Sequence, residues 1–129
     1  MLTRVFGVFG CAFGLAYVAF SAIATHAVKL DVVAAGRLDV ALKLLLAHAF
    51  ALLVLRLPSS VSKHEFSAKL APVLALAGLC FVFGTLIFSG SLSLAAFSGQ
   101  KFWATPAPFG GIMLMVGWLL WAVAIWRGR

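Results

Sequence analysis

Two histidines lie inside long apolar segments and are the residues of this chain best suited to chemistry. His26 lies near the end of the uncharged run 5–28, and His48 lies in the apolar run that follows Lys43. An ionisable side chain is costly in such surroundings, which makes it a functional candidate by default. A neutral imidazole can relay a proton, hold a ligand or join two helices by hydrogen bonds. The sequence leaves these alternatives open for both residues.

A second candidate group is the Ser89-Gly90-Ser91 segment. In a regular α-helix, Ser89 and Ser91 point about 200° apart and do not line one site together. In one interpretation, each hydroxyl bonds to a carbonyl or to another helix, and Gly90 permits close packing. In the other, the helix loosens at Gly90 and exposes carbonyls to a polar cavity at the end of the molecule where His26 lies.

The spacing of the ionisable residues argues against a metal site, a haem or an enzyme active site. Cys11 and Cys80 form no CxxC or Cys/His motif, so we expect them to be small packing residues. Haem ligands would have to lie at one depth, but on straight helices His26 and His48 differ by on the order of 10 Å. The acidic residues fall at or outside the ends of the apolar segments: Asp31, Asp39 and Glu65. The sequence therefore predicts no metal, no cofactor and no catalytic residue.

The composition of the chain that carries these residues excludes a soluble domain. The chain has 129 residues, of which 64% are apolar and 10% charged, and its mean hydropathy is +1.15. Soluble domains have roughly 45–50% apolar and 25% charged residues. The net charge of +7 comes from basic residues that punctuate apolar segments, which is typical of membrane topology and not of nucleic-acid binding. The lipid bilayer is thus the expected partner, and no nucleic acid is expected.

Four apolar segments are each near the length of about 20 helical residues that crosses a bilayer. We place them at 5–27, 39–57, 70–97 and 107–126. Pro58 with Ser59 and Ser60 ends the second segment, and Pro72 is expected in the first turn of the third. The first segment also resembles a cleavable secretory signal, but its length favours a retained helix. The prediction is an all-α integral membrane protein with one domain, residues 1–129, and four transmembrane helices in an up-down antiparallel bundle.

The distribution of basic residues predicts which side of the membrane the termini occupy. The side with the termini and the loop after the second segment carries six Lys or Arg: Arg4, Arg56, Lys63, Lys69, Arg127 and Arg129. The other side carries four: Lys29, Arg37, Lys43 and Lys101. Because cytoplasmic loops are enriched in Lys and Arg, both termini are expected in the cytoplasm.

Glycines recur at positions where helices could approach closely. Gly10 and Gly14 have the small-xxx-small spacing, and Gly110 and Gly117 are seven residues apart on one helix face. The predicted packing glycines are Gly7, Gly10, Gly14, Gly84, Gly110, Gly111 and Gly117. The first of these faces could form a seam within the chain or between two copies of it.

Several of these motifs occur together in one known family. They follow one another along the chain as Ala24-Thr25-His26-Ala27, Ala47-His48-Ala49, Phe88-Ser89-Gly90-Ser91-Leu92, Pro108-Phe109-Gly110-Gly111 and Gly117-Trp118. In this combination the chain resembles the YgdD-like family (DUF423), small bacterial inner-membrane proteins of unknown function with mitochondrial transmembrane relatives. The chain departs from the family pattern at Ser93, where an aromatic residue is common, and at Leu44 and Leu45, where a Tyr-Gln pair is common. The resemblance implies a fold and an inner-membrane location, and it supplies no reaction.

Two functional hypotheses remain. In the first, the protein is a non-enzymatic accessory or assembly subunit that packs through Gly- and Ser-rich helix faces, as a homo-oligomer or within a larger membrane complex. In the second, it is a small transport or ligand- or lipid-binding bundle with an outward-facing cavity around His48 and Ser89. The motifs converge on one half of the predicted bundle, so the candidate polar site comprises His26, His48, Ser89, Gly90 and Ser91.

Overall fold

The computed structural model describes residues 2–56 and 64–127, which are almost entirely helical. The elements are α1 at Leu2–His26, α2 at Val32–Arg56, α3 at His64–Ser98, a short 3-10 helix at Lys101–Ala104, and α4 at Ala107–Arg127. All four α-helices are long and apolar enough to cross a membrane. The predicted all-α architecture with four membrane-spanning helices is confirmed.

An N-terminal cap determines where α2 starts, and the hydropathy pattern does not reveal this cap. The carboxylate of Asp31 accepts a hydrogen bond from the backbone N–H of Ala34 at 2.8 Å. Such a cap satisfies a backbone donor that the first helical turn leaves free. The sequence predicted a start at residue 39, but the helix begins at Val32. The predicted turn at residues 58–60 lies outside the described residues.

α3 extends beyond its apolar run in the N-terminal direction. It begins at His64, so Pro72 lies inside the helix, and the prediction that Pro72 occupies the first turn is wrong. The apolar run marks where the helix enters hydrocarbon, and the helix itself starts earlier, with the loss of one backbone donor at the proline. At the other end, Gly99 has a φ of +69°, the left-handed conformation in which glycine commonly follows the last helical residue.

The helices pack in chain order as an open antiparallel row. α1 approaches α2 where Gly10 faces Ala49, and α3 approaches α4 where Gly84 faces Gly110. α2 and α3 form the middle of the row, and among the described residues α1 does not pack along α4. The up-down antiparallel order is confirmed, with α1 and α4 at the two edges. We call the end of the row that holds residues 27–31 and 99–106 the loop end.

Candidate functional site

His48 lies in the middle of α2 and is 2% exposed. Its Nδ1 atom lies 2.7 Å from the carbonyl oxygen of Leu44, one turn earlier in the same helix. From α4, the Nε1–H group of Trp118 donates to His48 Nε2 at 3.0 Å. Both ring nitrogens therefore have partners within the protein, and one of these bonds connects α2 with α4.

These two partners determine where the proton of the His48 ring lies. An indole N–H can only donate, so Nε2 accepts and carries no proton. A carbonyl oxygen can only accept, so Nδ1 carries the proton and donates to Leu44. An imidazolium would set its own Nε2–H against the Nε1–H of Trp118, donor against donor. The site is built for a neutral histidine that joins two helices, which is one of the alternatives the sequence left open.

Aromatic rings from α3 and α4 surround His48. Its ring centroid lies 5.3 Å from that of Phe81 and 6.0 Å from that of Trp118. Phe81 in turn packs 5.2 Å from Trp118 and 5.9 Å from Trp121, and the two tryptophans stack at 5.3 Å. Tilted and offset aromatic pairs at these distances add to the packing energy. The His48 cluster, made of these four side chains, therefore ties the three helices α2, α3 and α4 together.

Three buried hydroxyl groups on α3 have no hydrogen-bond partner among the described residues. They belong to Thr85, Ser89 and Ser93, which are 0%, 2% and 4% exposed. Residues four apart follow one face of a helix, so the three hydroxyls form a stripe that starts one turn from Phe81 and runs toward the loop end. Each such group costs about 1–3 kcal/mol when it is left without a partner. No bond joins this stripe to His48, whose nitrogens are already occupied.

The predicted polar site does not come together as one constellation. His26 is exposed at the end of α1, about 24 Å along the helix from Gly10, the residue at the level of His48. Ser91 donates to the carbonyl oxygen of Phe88 at 3.1 Å and so lies apart from Ser89. α3 continues through Gly90 without a break, which excludes the interpretation in which the helix loosens there. Of the five predicted residues, His48, Ser89 and Ser91 are buried, Gly90 is half-buried and His26 is exposed.

Several predicted packing glycines form seams within the chain. A Cβ atom at Gly110 would lie 2.5 Å from the backbone nitrogen of Phe88 and 2.8 Å from the carbonyl oxygen of Gly84. A Cβ atom at Gly117 would lie 2.7 Å from the ring of Phe81. At Gly10 it would lie 2.9 Å from the carbonyl oxygen of Ala49. These positions let α3 meet α4, and α1 meet α2, nearly backbone to backbone.

The remaining glycines behave differently. Gly7 is buried, Gly14 would meet nothing within 4 Å if it carried a Cβ atom, and Gly111 has only ordinary contacts with the ring of Phe88 at 3.5 Å. Gly78, which is not among the predicted packing glycines, lies against the ring of Phe6 and forms one contact between α1 and α3; the rings of Phe20 and Phe97 form another. Close approach therefore occurs at the predicted positions Gly10, Gly84, Gly110 and Gly117, whereas Gly14 and Gly111 have room for a side chain.

Sequence reasoning missed the partner of His48 and two members of the hydroxyl stripe. Trp118 was noted only as part of a Gly-Trp motif, although a buried or half-buried tryptophan N–H generally finds an acceptor. Its acceptor lies 70 residues away in the chain. Thr85 and Ser93 precede and follow Ser89 by four residues, and this helical spacing is the signal that could have identified them.

A cleft of about 300 Å³ opens between α1 and α2 at the loop end. It is lined by Ser21, Ala24, Thr25, Leu30, Ala35, Leu38, Asp39 and Leu42. Lys43 forms an ion pair with Asp39, with its Nζ atom 2.6 Å from a carboxylate oxygen, since residues four apart lie close together on one helix face. Neither His48 nor Ser89 lines this cleft, so its location differs from that of the cavity that the second hypothesis required.

Metal ligands do not cluster in the part of the chain that the structure describes. Within residues 2–56 and 64–127, no three His, Cys, Asp or Glu side chains lie together in a way that could hold a metal ion. Cys11 is exposed and Cys80 is half-buried, and both are free thiols. The described geometry thus offers no ligand set for a metal.

The chain is similar to known inner-membrane proteins. The model of a family described as a protein of unknown function, DUF423, matches residues 8–111. The chain belongs to the DUF423 family. The inner membrane protein YgdD of Escherichia coli strain K12 is 26% identical over 129 residues, which cover 98% of this chain and 93% of YgdD, and YgdD of Shigella flexneri matches to the same extent. No solved structure matches the chain.

The residues that match the DUF423 model include only part of the His48 cluster. His48 and Phe81 lie within the matched residues 8–111, whereas Trp118 and Trp121 lie beyond them. The similarity to YgdD, by contrast, covers nearly the whole chain. With four helices that can span a membrane and an inner-membrane relative, this DUF423 member is a membrane protein of a family with no assigned activity.

Proposed function

We propose that this chain is a non-enzymatic accessory or assembly subunit of a bacterial inner membrane. The state of His48 carries the proposal. It is the one buried ionisable side chain of the described spans with both of its polar atoms bonded, to Leu44 and to Trp118. A histidine in this arrangement has no free nitrogen to offer a substrate, so its role is to hold α2 and α4 at a defined distance.

The two edge helices supply the surface for assembly. About 22% of the α1 span and of the α4 span is buried within the chain, against 39% for α2 and for α3. Large apolar side chains are exposed on both edges: Leu15 and Val18 on α1, and Phe109, Met115 and Leu119 on α4. We propose that helices of a second copy or of a larger complex contact these two edges. Both termini lie in the cytoplasm in this proposal, which rests on the six basic residues of that side against four on the other.

A rescue experiment separates a structural link from a reactive group. His48→Ala and Trp118→Phe each remove one partner and leave a polar group without its bond, so each variant should be less abundant in the membrane than the wild type. The double variant His48→Leu with Trp118→Phe removes both polar partners and keeps apolar bulk, so its abundance should recover above that of either single variant. A double variant as scarce as the single ones would contradict the proposal.

A further inference from the structure

We propose that the cleft between α1 and α2 binds a phospholipid whose headgroup carries a protonated amine. This inference goes beyond the assembly role and does not depend on it. It rests on the depth of the cleft in the membrane, on the chemistry of its lining, and on the ion pair at its rim.

The packing of neighbouring residues places the cleft at headgroup depth. Leu38 lines the cleft and packs in one buried cluster with Ala34 and with Ala96 of α3. Shortly after Ala96 the chain leaves α3 and forms the Lys101–Ala104 turn, where Phe102 and Trp103 are exposed. Aromatic residues and lysine side chains concentrate at the interface between membrane and water. A lipid headgroup is therefore at the level of the cleft and can enter from the side.

The side chains that line the cleft favour a ligand group that donates hydrogen bonds and carries a positive charge. Asp39 supplies the charged group of the lining, and most of the other wall residues are alanine or leucine. The hydroxyl of Thr25 donates its proton to the carbonyl oxygen of Ser21 at 2.8 Å, so the Thr25 oxygen is left as an acceptor. A carboxylate and a hydroxyl oxygen beside apolar walls suit an ammonium group that is attached to acyl chains.

The rim supplies the complementary charge for a phosphate. Lys43 lies 2.6 Å from Asp39 and is 73% exposed, so its ammonium group can contact a second ligand while it stays near the carboxylate. Phosphatidylethanolamine carries a phosphate and a primary ammonium two carbons apart, and these charges oppose Lys43 and Asp39. Phosphatidylglycerol carries the phosphate without the amine, so it lacks a partner for the carboxylate. The cleft should therefore prefer the first lipid to the second.

Lipid retention by the full-length protein tests this preference. The protein is extracted in mild detergent, exposed to equal amounts of phosphatidylethanolamine and phosphatidylglycerol, and analysed by native mass spectrometry. The wild type should retain about threefold more phosphatidylethanolamine, the size of effect expected of one exposed ion pair. Asp39→Asn should abolish the preference. Asp31→Asn removes a charge at the same end and keeps the helix cap, so it should leave the preference unchanged.

A second pair of variants tests the place of binding. Ala35 lines the cleft and is exposed, so Ala35→Leu should fill the opening without disturbing the core and should lower retention of phosphatidylethanolamine. Ala47 is exposed on the same helix outside the cleft, so Ala47→Leu should retain the lipid as the wild type does. Equal retention of both lipids by the wild type would overturn the proposal. So would equal effects of the two Asp variants, or of the two Ala variants.

Discussion

His48 and Trp118 form a polar link between two helices of the row that are separated by α3. The link works because each partner has one role: the indole donates and Nε2 of the imidazole accepts, at 3.0 Å. The net contribution of one hydrogen bond to folding is modest, but the loss of one partner leaves the other polar group buried without compensation. The loss of the Trp118 donor should therefore lower the free energy of unfolding by more than the net contribution of the bond itself.

At this scale, we expect Trp118→Phe to lower the free energy of unfolding by about 1–3 kcal/mol, because it leaves Nε2 of His48 buried without a donor. Trp126→Phe is the matched control, since Trp126 is 77% exposed and lies outside the aromatic contacts of His48. The measurement is equilibrium unfolding in mixed micelles. An equal loss of stability in both variants would contradict the structural role of the bond.

At this scale, the type of a residue predicted its role, but the sequence did not predict its hydrogen-bond partner. A histidine in an apolar run predicts a bonded or functional imidazole, and the structure shows the bonded form. The identity of the donor depends on how α2 and α4 pack on either side of α3, and no local pattern encodes that. The helical spacing of the Ser-Gly-Ser segment predicted that its two hydroxyls face different surroundings: Ser91 bonds to its own helix, whereas Ser89 has no hydrogen-bond partner among the described residues.

At the scale of elements, close backbone approach defines the seam between α3 and α4. Gly84 and Gly110 oppose each other, and Gly117 gives room to the ring of Phe81. Small residues allow membrane helices to gain dispersion energy over long contacts, since lipid supplies no hydrophobic drive between helices. The seam therefore fixes the register between α3 and α4, and with it the relative positions of Phe81 and Trp118 in the His48 cluster.

Neighbouring glycines at the start of α4 give a matched test of the seam. Gly110→Ala should lower the free energy of unfolding by about 1–3 kcal/mol, because the new Cβ atom would meet backbone atoms that cannot move cheaply. Gly111→Ala adds the same methyl group where contacts stay at 3.5 Å or more, so stability should be unchanged or slightly raised. Thermal unfolding in detergent measures both. Equal destabilisation would show that the loss is not due to the seam.

The elements themselves were largely predictable, and their ends were not. Long apolar runs predict spanning helices because a helix satisfies its own backbone hydrogen bonds in hydrocarbon, where no water is available to do so. The start of α2 depends instead on the side chain of Asp31, and the start of α3 at His64 lies in a polar segment that hydropathy does not register. The spacing of Gly110 and Gly117 predicted a common face, but the residues opposite them came only from the packing.

At the scale of the whole molecule, the open row leaves two edge helices that contact the rest of the protein on one side. Sequential packing follows from short connections, and it places both termini on the side opposite the loop end. The sequence predicted the up-down order, but composition does not distinguish a closed bundle from an open row. The large exposed apolar area of α1 and α4 is consistent with lipid contact and with partner helices.

The orientation of the molecule is testable with reporters fused after Arg129. We expect a fluorescent protein that folds only in the cytoplasm to be bright, because the basic residues favour a cytoplasmic side for both termini. A phosphatase that is active only after export should be inactive at the same position. Fusion after Gln100, in the loop end, is the control and should give the opposite pattern. An active phosphatase after Arg129 would reverse the proposed topology.

The assembly role is tested most directly by the mass of the intact particle. The protein is expressed at its native level, extracted in mild detergent and analysed without dissociation, so that any particle is compared with the chain mass of 13.7 kDa. We expect a particle of fixed stoichiometry, made of several copies or of this chain with one defined partner. A single chain that carries nothing but detergent and lipid, under conditions that preserve its fold, would contradict the assembly role.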